Sequence, residues 1–355
     1  MDGDPIMETI TAGPVISPPT QKKRWFRADN IRYILLFNVI AEHMLTQTGI
    51  TYNWIVTVLV CWSRMITMPG FAFISGYFSK KGDKCYQSAL FDFLIPYIIF
   101  DSLFVMIYGS SQPNIFSPSF AYWYLLSMFC WKLMTKALQQ IKYVLPLSIA
   151  VALLTGLCGD VHNFLSLGRT IGFLPYYIIG MKLSREDVAK IEALPKAAVA
   201  AVTLVVLGVW GWLNVRGWFH IDFFYYWAPY GGTGMPDCLF SYSAAKGLLL
   251  RALGYIVSGV QIVFLFCIIP DLSLPVMRDG GTRTMVPYLL HTYVIMFMKN
   301  VYWLIPSLDR WFVTIPAALI MGVLLMAVLG LPILNEWYGA LISFIKKHLC
   351  KPETA

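Results

Sequence analysis

IRYILLFNVIAEHM, residues 31–44, is apolar enough to lie in lipid, yet it carries Arg32, Glu42 and His43. Eleven helical steps of about 100° separate Arg32 from His43. That is roughly three whole turns, so a helix puts both side chains on one face. They sit about 16 Å apart along its axis at a rise of roughly 1.5 Å per residue. An arginine near a membrane interface and a histidine well inside the bilayer then belong to one surface. Ionisable side chains at that depth are costly and mark functional sites.

The rest of the chain supports a membrane setting. Of 355 residues, 58% are hydrophobic and 13% charged, whereas soluble domains carry about 25% charged residues. Aromatics make up 15%, and Trp and Tyr collect at membrane interfaces. The net charge of +8 is spread in short basic groups between apolar stretches. That is the pattern of topogenic loops, not of a dense nucleic-acid patch, and no nucleic-acid partner is expected. The seven cysteines show neither a CxxC pair nor metal-ligand spacing. They read as helix-packing residues, with no disulfide framework and no metal site.

A span needs about 20 apolar residues. Such runs fall at roughly 29–48, 54–78, 89–108, 120–138, 143–159, 168–183, 196–213, 247–269, 284–303 and 311–333. The fold class is therefore all-α, a polytopic integral membrane protein of about ten transmembrane helices. With the N-terminus in the cytoplasm, Lys and Arg divide about 20 to 7 in favour of that side, a strong positive-inside bias. Both termini are then cytoplasmic. Residues 1–27 are expected as a disordered cytoplasmic tail, 28–335 as the membrane domain and 336–355 as a cytoplasmic C-terminal tail. The first apolar run lacks a small-residue cleavage site and reads as a retained span. The one long connection, 214–246 on the outer face, is dense in aromatics, Gly and Pro. It reads either as a stacking surface for sugar rings or as an aromatic belt on the membrane.

Few side chains in the spans can carry chemistry. A neutral His43 in a dry pocket can act as general base on an alcohol; the plainer reading is a helix-packing hydrogen bond. Glu42, one residue before it, diverges by about 100° and need not touch it. Arg32 is either a clamp for a phosphate-bearing ligand or a side chain snorkelling to headgroups. Arg64 lies in the outer half of the second span, with Glu42 or Asp101 as partner, in a site or in a structural ion pair. His291 lies at depth in the ninth span. Arg169 opens the sixth span as an anchor or a substrate contact. Asp92 and Asp101 fall on opposite faces of their helix and form no acid–base pair. His162, His220 and His348 read as solvated. A phosphate-cradling Gly-rich loop and a metalloprotease histidine pair are both missing, and Ser75 in ISGY is no nucleophile elbow.

Five motifs occur in order: the Arg32/His43 pair, MPGFAFISGY at Met68–Tyr77, YWYL at Tyr122–Leu125, FLPYYIIGMKL at Phe173–Leu183 and GTRTMVPYLLH at Gly281–His291. Together they resemble the membrane-bound acyltransferase 3 family, in the branch of fucose 4-O-acetylases and exopolysaccharide O-acetyltransferases. The resemblance spans about 29–335. It implies about ten helices in a bacterial-type inner (plasma) membrane. It also implies acetyl transfer from cytoplasmic acetyl-CoA, a substrate and not a bound cofactor, to a hydroxyl of a glycan or lipid-linked sugar. It assigns Arg32 and His43 to the family's signature pair and matches Tyr288 and His291 to its C-terminal region. Taken with the residue reading above, His43, Glu42, Arg64 and His291 are the candidate catalytic residues, Arg32 and Tyr288 the candidate donor-binding residues, and Arg169 and Trp123 the candidate acceptor contacts. Polysaccharide-synthesis proteins are then natural partners. Two other readings fit the composition: a transporter or flippase, and a non-catalytic component of a polysaccharide-synthesis complex.

Overall fold

The computed structural model describes residues 24–47, 54–109, 114–159, 164–231, 241–301 and 310–349. Among them are helices and no strands. In chain order they are α1 (Phe26–Gln47), α2 (Trp54–Phe78), α3 (Gly82–Ala89), α4 (Ile95–Tyr108), α5 (Trp123–Gln140), α6 (Val144–Thr155), α7 (Leu167–Lys182), α8 (Arg185–Glu192), α9 (Lys196–Val215), α10 (Ala244–Ile268), α11 (Pro275–Thr282), α12 (Met285–Val301), α13 (Trp311–Leu329) and α14 (Pro332–Leu349).

Five helical stretches among the described residues are long and apolar enough to cross a membrane: α2, the run from α3 through α4, α9, α10 and α13. The described residues are thus helical, with several helices long and apolar enough to cross a membrane. The first expected span, α1, is long enough at 22 residues, but Asp29, Arg32, Glu42 and His43 break its hydropathy. The fifth, α6, has 12 residues, about 18 Å of helix, short of the roughly 30 Å hydrocarbon core.

α2 is the central post. It packs on α1, α7, α9 and α10. Its crossing with α7 depends on two glycines. A Cβ on Gly76 would meet the Tyr177 carbonyl oxygen at 1.9 Å, and one on Gly180 would meet the Phe73 carbonyl oxygen at 2.0 Å. Small residues let two backbones approach this closely. The ISGY and IIGM segments are therefore the two halves of one contact. α11 docks on α1 in a similar way, with Gly281 against the Asp29 backbone.

Three expectations change at the edges. Residues 24–27, assigned to the tail, are folded: Trp25 packs on Tyr77 and Phe266, and Arg27 pairs with Glu192 at 2.7 Å. Residues 1–23 lie outside the described residues. The third span starts earlier than expected, at Gly82, and passes through a π-helical turn at Leu90–Leu94. The expected C-terminal tail is helical to Leu349. In α14, Leu334, Tyr338, Leu341 and Ile345 are half-buried while Ile333, Trp337 and Phe344 are exposed. Outside the spans, Ser184 caps α8, and its two hydrogen bonds hold the Asp187 carboxyl below the usual range.

Candidate active site

Two cavities lie end to end beside α1, α2 and α5. One, of about 310 Å³, is lined by His43, Glu42, Arg64, Trp123, Arg169 and Tyr288, with Asp222, Tyr225 and Trp227 opposite. The other, of about 230 Å³, is lined by Arg32, Ser75, Phe78, Tyr124, Lys132 and Tyr288 among others. Seven of the eight residues singled out from sequence thus line one cavity or the other. The eighth, His291, lies directly behind His43.

The His43 ring is fixed by a chain of hydrogen bonds. Its Nδ1 lies 3.2 Å from His291 Nε2, and His291 Nδ1 lies 3.0 Å from the Pro287 carbonyl oxygen. A carbonyl only accepts, so His291 donates from Nδ1 and its Nε2 accepts. His43 must then donate from Nδ1, which leaves the Nε2 lone pair as its available base. Glu42 Oε2 sits 4.0 Å from that Nε2. The side chains of neighbours Glu42 and His43 therefore converge more than their 100° separation suggested.

Phe120 covers the ring from the other side, 4.7 Å centroid to centroid. Its φ of +41° is unusual for a bulky residue, a strain held only when surrounding structure over-determines it. One such restraint is next door: the Ser119 N–H donates to Asp101 Oδ1 at 2.8 Å. Arg64 takes Glu42 and Asp222 as its partners, and not Asp101.

Arg64 is fully committed. Its guanidinium meets Glu42 Oε1 at 3.1 Å and Asp222 Oδ1 in a second, shorter contact. It lies 4.3 Å from the centre of the Tyr225 ring. The Tyr225 hydroxyl in turn donates to Glu42 Oε2 at 2.9 Å. Buried charges need this degree of pairing to be tolerated.

Asp222 and Tyr225 come from the long connection. The segment Ile221–Tyr225 forms a 3-10 turn, and Phe219, Phe223, Phe224, Tyr226 and Tyr230 around it are all buried. Arg251, itself buried, lies within 5.0 Å of the ring centres of Phe223, Tyr226 and Tyr230. Much of the described part of this connection is buried among the helices, and its Trp227 lines the His43 cavity. His220 is half-buried there, 3.4 Å from Asp222, and not freely solvated. His162 lies outside the described residues.

Arg169 differs from Arg64. It packs over Trp123 at 5.1 Å and reaches the Ser166 hydroxyl at 3.4 Å, but among the described residues it has no carboxylate partner. Its Nε is buried without a hydrogen-bond partner. Of the two guanidiniums on this cavity, Arg169 is the one left to meet a ligand's negative charge. The Tyr288 hydroxyl is occupied, donating to the Ala121 carbonyl.

In the second cavity, Arg32 pairs with Asp29 at 3.3 Å and stacks 4.3 Å from the Phe78 ring centre. Lys132 joins it there and donates to Ser88 Oγ at 2.9 Å. Two cations on a largely apolar cavity suit a ligand with an anionic group and a slender apolar arm. The sequence signal that could have found Asp222 is that it stands alone as a carboxylate in the aromatic run IDFFYYW; no spacing rule connects it to Arg64. Comparison with protein-family models, with curated proteins and with solved structures gave no match to this chain.

Proposed function

We propose that the protein is a membrane O-acyltransferase that moves an acetyl group from acetyl-CoA to a sugar hydroxyl of an exopolysaccharide or its lipid-linked precursor. The observation that carries this is the His43–His291–Pro287 chain, which leaves one imidazole lone pair facing a cavity walled by aromatic and charged groups. The ordered motifs shared with the acyltransferase 3 family support the same reading, as does a second, cationic cavity adjoining the first.

In this mechanism the acceptor sugar lies against Trp123 and Trp227, and its hydroxyl donates a proton to His43 Nε2. The hydroxyl oxygen attacks the thioester carbonyl. Arg169 stabilises the oxygen on which negative charge develops, a task for a fixed donor near 3 Å. The carbon–sulfur bond breaks, and His43 returns the proton to the departing thiolate. His291 and Glu42 position and charge-balance the imidazole, and Arg64 holds Glu42 in place. Arg32 and Lys132 hold the anionic part of the donor. The proposal includes a ten-span topology with both termini in the cytoplasm, which puts the Arg32 cavity nearer the cytoplasmic face, in a bacterial-type inner membrane.

Two cavities in line also suit a permeation path, the transporter reading. The two are separated by incubating the purified protein with acetyl-CoA and polysaccharide extracted from cells that lack it. Acyltransfer requires release of free CoA that depends on the polysaccharide. A transporter leaves the thioester intact.

A further inference from the structure

Among the described residues, Tyr288 is the one side chain that lines both cavities. On α1, Leu36 faces one cavity and Val39 the other; on α2, Phe71 faces one and Met68 the other. Three residues of helix are about 4.5 Å, so the wall between the cavities is about one aromatic ring thick. The ring is tethered: its hydroxyl donates to the Ala121 carbonyl, just before α5. It lies edge-on to Tyr124 at 6.0 Å and 5.8 Å from the His291 ring.

We propose that Tyr288 is a partition that limits the acyl chain to a short one and shields the waiting thioester from water. The inference rests on the acyltransferase reading. A donor held in the Arg32 cavity must present its carbonyl at this ring to come within reach of a hydroxyl on His43. An acetyl methyl fits beside the ring. A longer chain must displace the ring and break its hydrogen bond to Ala121. The His43 cavity is polar and admits water. With the ring removed, that water can be deprotonated by His43 and attack the thioester. The carbon–sulfur bond breaks, a carbon–oxygen bond forms, and a carboxylic acid and free CoA leave, the thiolate taking the proton.

The test uses the full chain in detergent with acetyl-, butanoyl- and hexanoyl-CoA, following thiol release with and without extracted polysaccharide. Tyr288→Leu should raise acceptor-independent hydrolysis of acetyl-CoA on the order of tenfold, the scale of one lost close-packing or hydrogen-bond constraint. It should also accept the two longer donors. Tyr288→Phe keeps the ring but loses its tether to Ala121, and should fall between wild type and Tyr288→Leu in both respects. Where a variant fails to fold, wild type decides: S-ethyl-CoA should compete against acetyl-CoA about tenfold better than S-hexyl-CoA, the scale of an overpacking clash. Unchanged hydrolysis and chain preference in Tyr288→Leu overturns the partition. So does a Tyr288→Phe defect equal to that of Leu, which would make the hydroxyl a chemical participant, or equal competition by the two thioethers. A wild-type protein that never consumes acetyl-CoA sinks the acyltransferase reading itself, a different outcome from any of these.

Discussion

The rings of His43 and His291 lie nearly parallel, 13° apart, with His43 Nδ1 3.2 Å from His291 Nε2. The first ring borders the cavity, and the second is fully buried behind it. Because His291 also donates to the Pro287 carbonyl, its tautomer, and through it that of His43, is set by the backbone. In the proposed mechanism the pair divides the work: one ring takes the proton, the other decides which nitrogen is free to take it.

Replacing His291 by Phe removes the acceptor for His43 Nδ1 and frees the His43 ring to flip. The expected result is a fall in kcat on the order of 10²-fold, within the range that a positioned general base supplies. The acceptor KM should change little. His291→Gln, whose amide oxygen can accept the same bond, should retain more activity. Steady-state transfer rates check this, and wild-type kcat in His291→Phe would contradict it.

Arg169 should separate activity from stability. It has no carboxylate partner among the described residues, so Arg169→Met leaves no buried carboxylate unpaired. Transfer should drop on the order of 10²–10³-fold, as for loss of an oxyanion donor, while Tm in detergent holds or rises. A lowered Tm with intact transfer would make Arg169 an anchor only.

Arg64 should behave in the opposite way. Removing one partner from a buried ion pair leaves an uncompensated charge and costs about 3 kcal/mol or more. Arg64→Met, which strands both Glu42 and Asp222, should therefore lower Tm clearly, and adding Glu42→Gln should recover part of the loss, a non-additivity expected of contacting residues. Strictly additive losses would show that the pair is not coupled.

The reach of sequence reasoning follows from these contacts. Arg32, His43 and Glu42 were legible because helical spacing within one apolar segment fixes a shared face. Gly76 and Gly180 sit in motifs whose meaning is a close crossing, but which glycine meets which backbone appears only in three dimensions. Asp222 and Tyr225 were not legible. They reach Arg64 and Glu42 across more than 150 residues of chain, from a connection whose aromatics suit a belt as well as a buried segment. Lys132, in the middle of α5, was not legible either, since a lysine grouped with Lys136 and Lys142 ordinarily reports topology alone. α14 was missed because Glu336 and the closing Lys346 and Lys347 leave its apolar run too short for a span, though not for a helix.

The α2–α7 crossing provides a test of the fold alone. Gly76→Ala puts a Cβ 1.9 Å from a carbonyl oxygen that belongs to backbone and cannot move aside cheaply. The yield of monodisperse protein from detergent should collapse. Gly208→Ala, in α9 with nothing within 4 Å, should be neutral or stabilise by about 0.5–1 kcal/mol. Equal yields from the two variants would place the crossing elsewhere.

The central claim is that His43 is the base of an acyl transfer. It is tested most directly in cells that lack the native copy and express wild type or His43→Ala at equal membrane levels, by mass spectrometry of their surface polysaccharide. The account requires O-acetyl groups with wild type and their near-complete loss with His43→Ala, a reduction on the order of 10²-fold or more. Wild-type acetylation in the His43→Ala cells would contradict it.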